Sequence, residues 1–299
     1  MTDSLKGYSL GVIAAASYGT NPLFALPLLG NGIDAFSVLF LRYLFAIPIL
    51  AIMMLAKNCD FGISKNQILP LAILGILMAI SSLTLYISYA YIGAAIASTL
   101  LFIYPILVTV IMAIVFHEKI TILTIVCIIL ATSGIVLLYR GNDGAVLNLS
   151  GLLLVFLSAL SYAFSAALIK RYSRTEDPVL LSGWQFIFGG IFMMLLGYGA
   201  GGELMNVNVS GILMLIYLAV VSAAAFSIWG MLLKYNPVST ISVFGFMNPV
   251  FGVILSYILL SERSEAGPLR VAAALVLVAA GIIIVNMPSL NFPTKDPKI

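Results

Sequence analysis

Ten stretches of predominantly apolar residues, each about the length a helix needs to cross a bilayer, fix what this chain can fold into. They run roughly 7–28, 35–56, 68–91, 95–116, 120–139, 150–169, 179–199, 211–233, 238–260 and 267–287. None alternates apolar with polar residues, so short barrel strands are excluded. A helix also satisfies its own backbone donors, as lipid requires. Composition agrees. The chain is 62% hydrophobic and 8% charged, whereas a soluble domain carries about a quarter of its residues as charges. The expected fold is an all-α membrane protein of ten transmembrane helices.

The connections are short and hold the turn residues: GNGID, KNCDFGISKN, RGNDG and RTEDP. None is long enough to be a soluble domain. The tail 291–299 is polar and proline-rich, and is expected to be disordered. The N-terminus lacks the pattern of a cleaved signal peptide, so the first stretch is expected to stay in the membrane. Cys59 and Cys127 form neither a disulfide framework nor a zinc motif. No basic run with interleaved aromatics exists, which argues against a nucleic-acid partner.

Orientation follows from the basic residues. With the N-terminus in the cytoplasm, Lys6, Lys57, Lys65, Lys119, Lys170, Arg171, Arg174, Lys234, Lys295 and Lys298 lie inside, against Arg140, Arg263 and Arg270 outside. An even number of spans returns the C-terminus to the cytoplasm.

The two halves repeat at an offset of 144 residues. Gly7 and Tyr18 pair with Gly151 and Tyr162, Pro105 with Pro249, and Glu118 with Glu262. Residues 1–140 and 148–290 are thus expected to be two related units. Five spans in each make the second enter from the opposite side. Inverted halves suit a transporter, because they can exchange roles around one site.

The strings IGAAIASTLLFIYPILVTVIMAIVFHEKIT and NPVSTISVFGFMNPVFGVILSYILLSERS, each with a proline in the fourth helix and a glutamate at its end, resemble the EamA-type transporters of the drug/metabolite transporter superfamily. The resemblance covers residues 1 to about 290. It implies a ten-helix bundle with a central cavity lined by the first, third and fourth helices of each half. It also implies an exporter of amino acids or other metabolites in a bacterial inner membrane. The third helices differ between halves (LTLYISYAY against FSIWGMLLK).

Substrates of such proteins bind near the midplane between the halves. Polar and aromatic residues at that depth are Tyr18, Asn21, Ser81, Ser82, Tyr86, Tyr89, Thr99, Tyr104, Tyr162, Ser165, Ser222, Trp229, Phe246 and Asn248. The substrate-binding set is taken as Tyr18, Asn21, Tyr86, Thr99, Tyr104, Tyr162, Ser165, Trp229 and Asn248. Each has a plainer reading. Trp229 and Tyr89 stand near enough to helix ends for an interfacial belt, serines and threonines often bond their own helix, and Asn21 and Asn248 precede prolines whose freed carbonyls they could satisfy. Pro105 and Pro249 are expected as bending points, with Glu118 and Glu262 as gate residues. Small pairs such as Gly75/Ala79, Gly93/Ala97, Ala163/Ala167 and Ala223/Ser227 signal close helix packing.

No Asp or Glu falls at mid-membrane. The central carboxylate that small multidrug transporters use for protons and cationic drugs is therefore missing. Arg42 is the one basic residue well inside a span, and the expected reading is that it snorkels to the outer surface. The chamber would then be uncharged, and a phosphorylated substrate is disfavoured. His117, the only histidine, stands at a helix end. One histidine and no buried carboxylate supply no hydrolase constellation, no metal site and no cofactor site. The expected function is export of a small neutral or zwitterionic metabolite, such as an amino acid, by alternating access. Export of hydrophobic drug-like compounds is the alternative, and a receptor or scaffold is the other class. The expected partners are a small-molecule substrate and the lipid bilayer; oligomeric state is open.

Overall fold

The computed structural model describes residues 3–58, 61–101, 103–117, 148–173, 175–200 and 207–236, with scattered positions in 120–133, 241–251 and 269–280. The described residues form helices α1 (Asp3–Gly19), α2 (Asn21–Gly30), α3 (Ala35–Ala56), α4 (Lys65–Ile92), α5 (Ala94–Leu101), α6 (Tyr104–Phe116), α7 (Leu149–Tyr172), α8 (Pro178–Gly199) and α9 (Val209–Tyr235). No strand occurs among them. Six stretches are long and apolar enough to cross a membrane: Ser9–Gly30, Ala35–Ala56, Lys65–Ile92, Leu149–Tyr172, Pro178–Gly199 and Val209–Tyr235. Most of the expected spans at 120–139, 238–260 and 267–287, and all of the tail 291–299, lie outside the described residues.

Two expected spans are broken rather than continuous. The first divides at Thr20 because Pro22 sits in the opening turn of α2, where a missing N–H is tolerated. At the break Ser17 O accepts from Thr20 N–H at 3.3 Å and from Thr20 Oγ1 at 2.7 Å. Tyr217 of α9 in turn donates to Thr20 Oγ1 at 3.0 Å. The fourth span divides before Tyr104, and Pro105 stands in the first turn of α6. Pro105 starts a helix instead of kinking one.

Polar caps mark the helix ends. Asp34 accepts from Ser37 N–H at 2.9 Å, Asp177 from Val179 N–H at 2.7 Å and Asn208 from Gly211 N–H at 2.8 Å. Each satisfies a donor that the first turn leaves open. Gly93, with φ of +78°, separates α4 from α5 in a conformation that glycine adopts freely. It is a break residue, not only a packing one.

The halves interlock. Helix α4 packs most extensively on α7, α3 packs on α8, and α1 and α2 pack on α9. The interior is built from small side chains: Ala14, Ala15, Ala159, Ala163, Ala219 and Ala223 are fully buried. At Gly75 a Cβ would meet the Gln185 carbonyl oxygen at 2.7 Å and the Gly189 nitrogen at 2.8 Å, so α4 and α8 touch backbone to backbone. Large side chains face outward instead. Ile52, Leu69, Leu153, Leu195 and Leu213 are exposed, an arrangement that needs lipid as its solvent.

One end of the bundle gathers basic residues. Lys57, just past α3, pairs with Asp177 before α8 at 3.7 Å, and Gln67 in the first turn of α4 donates to Glu176. Lys170, near the end of α7, donates to Leu233 O at 2.7 Å and Asn236 O at 2.6 Å, closing the last turn of α9. Lys57, Lys65, Lys170, Arg171 and Lys234 thus share one face.

Candidate functional site

Arg42 is the correction that organises the site. It lies eight residues beyond the cap Asp34, about 12 Å along α3 by the helical rise. It does not snorkel: it is 4% exposed, and its guanidinium points into the bundle. Nε donates to Ser222 Oγ of α9 at 2.6 Å. Nη1 donates to Tyr86 OH of α4 at 3.1 Å and to Asn21 Oδ1 of α2 at 3.3 Å. Four helices from both halves thus meet on one cation. The reason is solvation. A charge this deep costs several kcal/mol unless polar groups surround it, and three neutral oxygens do so here.

No described acid neutralises it. Asp34 caps α3, Asp177 caps α8 and pairs with Lys57, and Glu176 accepts from Gln67. The two N–H groups on Nη2 have no protein partner among the described residues. The bundle interior around Arg42 is therefore cationic, not uncharged.

An aromatic wall continues from this cation along α9. Ser222, Phe226 and Trp229 stand at positions i, i+4 and i+7, which share one helix face. Tyr18 packs edge-on against Phe226 at 5.5 Å and Trp229 at 6.5 Å between ring centroids. Trp229 is 4% exposed, so it is an interior residue and not part of a membrane-interface belt. Tyr89, half-buried, stacks on Tyr86 at 5.7 Å. Further in, Tyr104 meets Tyr162 edge-on at 4.7 Å. A Cβ on Gly245 would collide with the Tyr104 hydroxyl, so that ring lies directly over the backbone there.

Three of the sequence-selected residues carry buried polar atoms with no hydrogen-bond partner: Tyr18 OH, Ser165 Oγ and Asn248 Oδ1. Such orphans are uncommon in a folded interior, and each calls for a reason. Asn21, Tyr86, Tyr18 and Trp229 come together around Arg42 and Phe226; Tyr104 and Tyr162 form a neighbouring pair. For Thr99 the backbone lies in α5 and the side chain is outside the described residues, as are Glu118, Pro249, Glu262 and Phe246. Other serines are structural. Ser158 Oγ donates to Ser81 O at 2.7 Å, tying α7 to α4, and Tyr43 donates to Ser82 Oγ at 3.4 Å.

Sequence reasoning assigned Arg42 to the surface and left it out of the site. The string LFLRYLFA is apolar on every side of the arginine, so no polar stripe says which way it turns. Its depth, two turns from the helix end, was the only available signal.

A polytopic helical bundle with polar groups from several helices meeting at its centre is the build of a membrane transporter. The profile of the EamA-like transporter family matches residues 5–140 and 149–287, and the chain belongs to that family. An uncharacterized transporter of Clostridium kluyveri is 23% identical over 93% of this chain and 92% of its own length. A WAT1-related chloroplastic protein of Arabidopsis thaliana is 26% identical over 67% of this chain; the match spans only 50% of that relative. A solved crystal structure shares the fold, with a TM-score of 0.79 at 16% identity, covering 94% of this chain and 96% of the other. The chain is a multi-pass membrane member of this transporter family.

Proposed function

We propose that this transporter exports a small neutral or zwitterionic metabolite, an amino acid being the type case, by alternating access between two inverted five-helix halves. The observation that carries the reading is a set of unpartnered polar atoms in the bundle interior. Tyr18 OH, Ser165 Oγ and Asn248 Oδ1 are buried without protein partners, in a bundle whose other interior hydroxyls largely bond their own helices. Groups held ready in this way suit a polar solute that comes and goes.

The helix pairing supports the inverted arrangement. In span order, α4 on α7 is the third helix against the sixth, and α1 and α2 on α9 is the first against the eighth. A two-fold axis in the membrane plane exchanges those two pairs and maps α3 on α8 onto itself. The shared face of Lys57, Lys65, Lys170, Arg171 and Lys234 fits the cytoplasm by the positive-inside rule. The units 1–140 and 148–290, ten spans, both termini inside and a bacterial inner membrane complete the proposal. Pro249 serves as a bending point, Pro105 opens its half-helix, and Glu118 and Glu262 hold the gates. The orphan hydroxyls and amide favour a polar solute over a hydrophobic drug-like one.

The test is counterflow into proteoliposomes. Vesicles preloaded with unlabelled amino acids should accumulate the labelled form saturably, and protein-free vesicles should not. No saturable flux for any amino acid would remove the proposed substrate class. Normal flux in both Glu118→Ala and Glu262→Ala would remove the gate assignment.

A further inference from the structure

We infer that Arg42 is a carboxylate-binding subsite and that the transported solute is a monocarboxylate, its carboxylate on the guanidinium and its apolar group against Tyr18, Phe226 and Trp229. The inference rests on the transporter reading and redefines its substrate class by the carboxylate, which zwitterionic amino acids and plain organic acids share.

Arg42 presents five N–H donors in a fixed fork. Nε and Nη1 engage Ser222, Asn21 and Tyr86, all of which are neutral. Their oxygens keep the guanidinium solvated, but they leave its charge in place. The Nη2 edge has no protein partner among the described residues. A carboxylate oxygen on Nη2 would supply the counter-charge that the neutral partners lack, and charge-assisted hydrogen bonds of this kind are the strong ones. The pair would also lower the cost of holding one positive charge in an apolar interior.

Charge number selects among anions. One guanidinium balances one negative charge. A phosphate dianion needs a second cation, and the other buried cation among the described residues, Lys170, is tied to Leu233 O and Asn236 O at the bundle end. Length selects the rest of the molecule. Ser222 to Trp229 is seven residues, about 10 Å along α9, with Phe226 between. That span fits a small organic acid or amino acid carrying a branched or aromatic side group. The two classes share the carboxylate and differ in the amine.

The full-length protein in detergent is heated with isovalerate, phenylacetate, L-leucine or L-phenylalanine, each beside its own amide. At least one acid should raise the unfolding midpoint by about 2 °C or more at saturation, and its amide should not. Response to the plain acids alone, or to the amino acids alone, tells whether the amine is read as well. Arg42→Gln should abolish the discrimination. Arg42→Lys keeps the charge but not the donor set that engages Ser222, Asn21 and Tyr86, and should need about tenfold more acid. Asn21→Asp places a carboxylate against Nη1 within the protein; it should fold at least as stably as wild type and lose the response to added acid. That variant decides the matter if Arg42→Gln does not fold. Equal shifts for acids and amides, or a response that survives in Asn21→Asp, would overturn the inference. Binding without proteoliposome flux would instead count against the transport reading and leave the subsite standing.

Discussion

Arg42 Nε donates to Ser222 Oγ at 2.6 Å, across 180 residues of sequence and from one half of the molecule to the other. The Ser222 hydroxyl in turn donates a hydrogen bond to Leu218 O within α9. The hydroxyl thus couples a buried charge in α3 to the backbone of α9. Ser222→Ala removes an oxygen from a buried guanidinium and should lower stability by about 1–3 kcal/mol, the cost of an unsatisfied buried donor. Ser227, one turn further on, bonds only Ala223 O at 2.7 Å, and Ser227→Ala should stay within about 1 kcal/mol. Denaturant unfolding in detergent compares the two directly; equal losses would mean that the Arg42 contact carries nothing.

Tyr18 offers a separation of folding from function. Its hydroxyl is buried and has no partner, while its ring packs on Phe226 and Trp229. Tyr18→Phe keeps the ring and removes a desolvated hydroxyl, so the unfolding midpoint should hold or rise. Counterflow should fall if the hydroxyl faces the solute. A drop in stability would show that the hydroxyl is satisfied after all.

Gly75 tests the close approach of α4 and α8. A Cβ there meets backbone atoms of Gln185 and Gly189 below 3 Å, and backbone cannot swing aside. Gly75→Ala should cost about 1–3 kcal/mol through overpacking. Gly30 has nothing within 4 Å of its would-be Cβ, so Gly30→Ala is the neutral control. Thermal midpoints of the two variants, measured side by side, give the answer.

Lys170 closes the last turn of α9 from a neighbouring helix. Lys170→Met leaves the carbonyls of Leu233 and Asn236 short of a donor, and should destabilise by about 1–3 kcal/mol. Arg171, next in sequence, is exposed, and Arg171→Met should be close to neutral. A similar loss in both would point to general surface charge rather than to the cap.

The proposed orientation has its own measurement. With Cys59 and Cys127 replaced, single cysteines at Gly32 and Lys57 should react with an impermeant thiol reagent from opposite sides of the membrane. Position 57 should be the cytoplasmic one. Labelling of both from the same side would contradict a spanning α3.

The sequence by itself determined the helical membrane class, the positions of the apolar spans and the depth at which polar residues fall. Length and hydropathy are one-dimensional quantities, and expected spans such as 35–56 and 179–199 match α3 and α8 within a residue. It also marked Tyr18, Ser165 and Asn248, whose polar atoms are buried and unpartnered. Only the tertiary structure decided which way Arg42 faces, that Trp229 is interior, and that Pro22 and Pro105 open helices instead of bending them. The physical reason lies in the solvent. In water the apolar face of a helix points to the core, but lipid is as apolar as the protein interior. Leu153 faces outward and Val155 inward on α7, and nothing in their chemistry distinguishes the two. The rotation of each helix, and with it the membership of the site, comes from packing against distant neighbours.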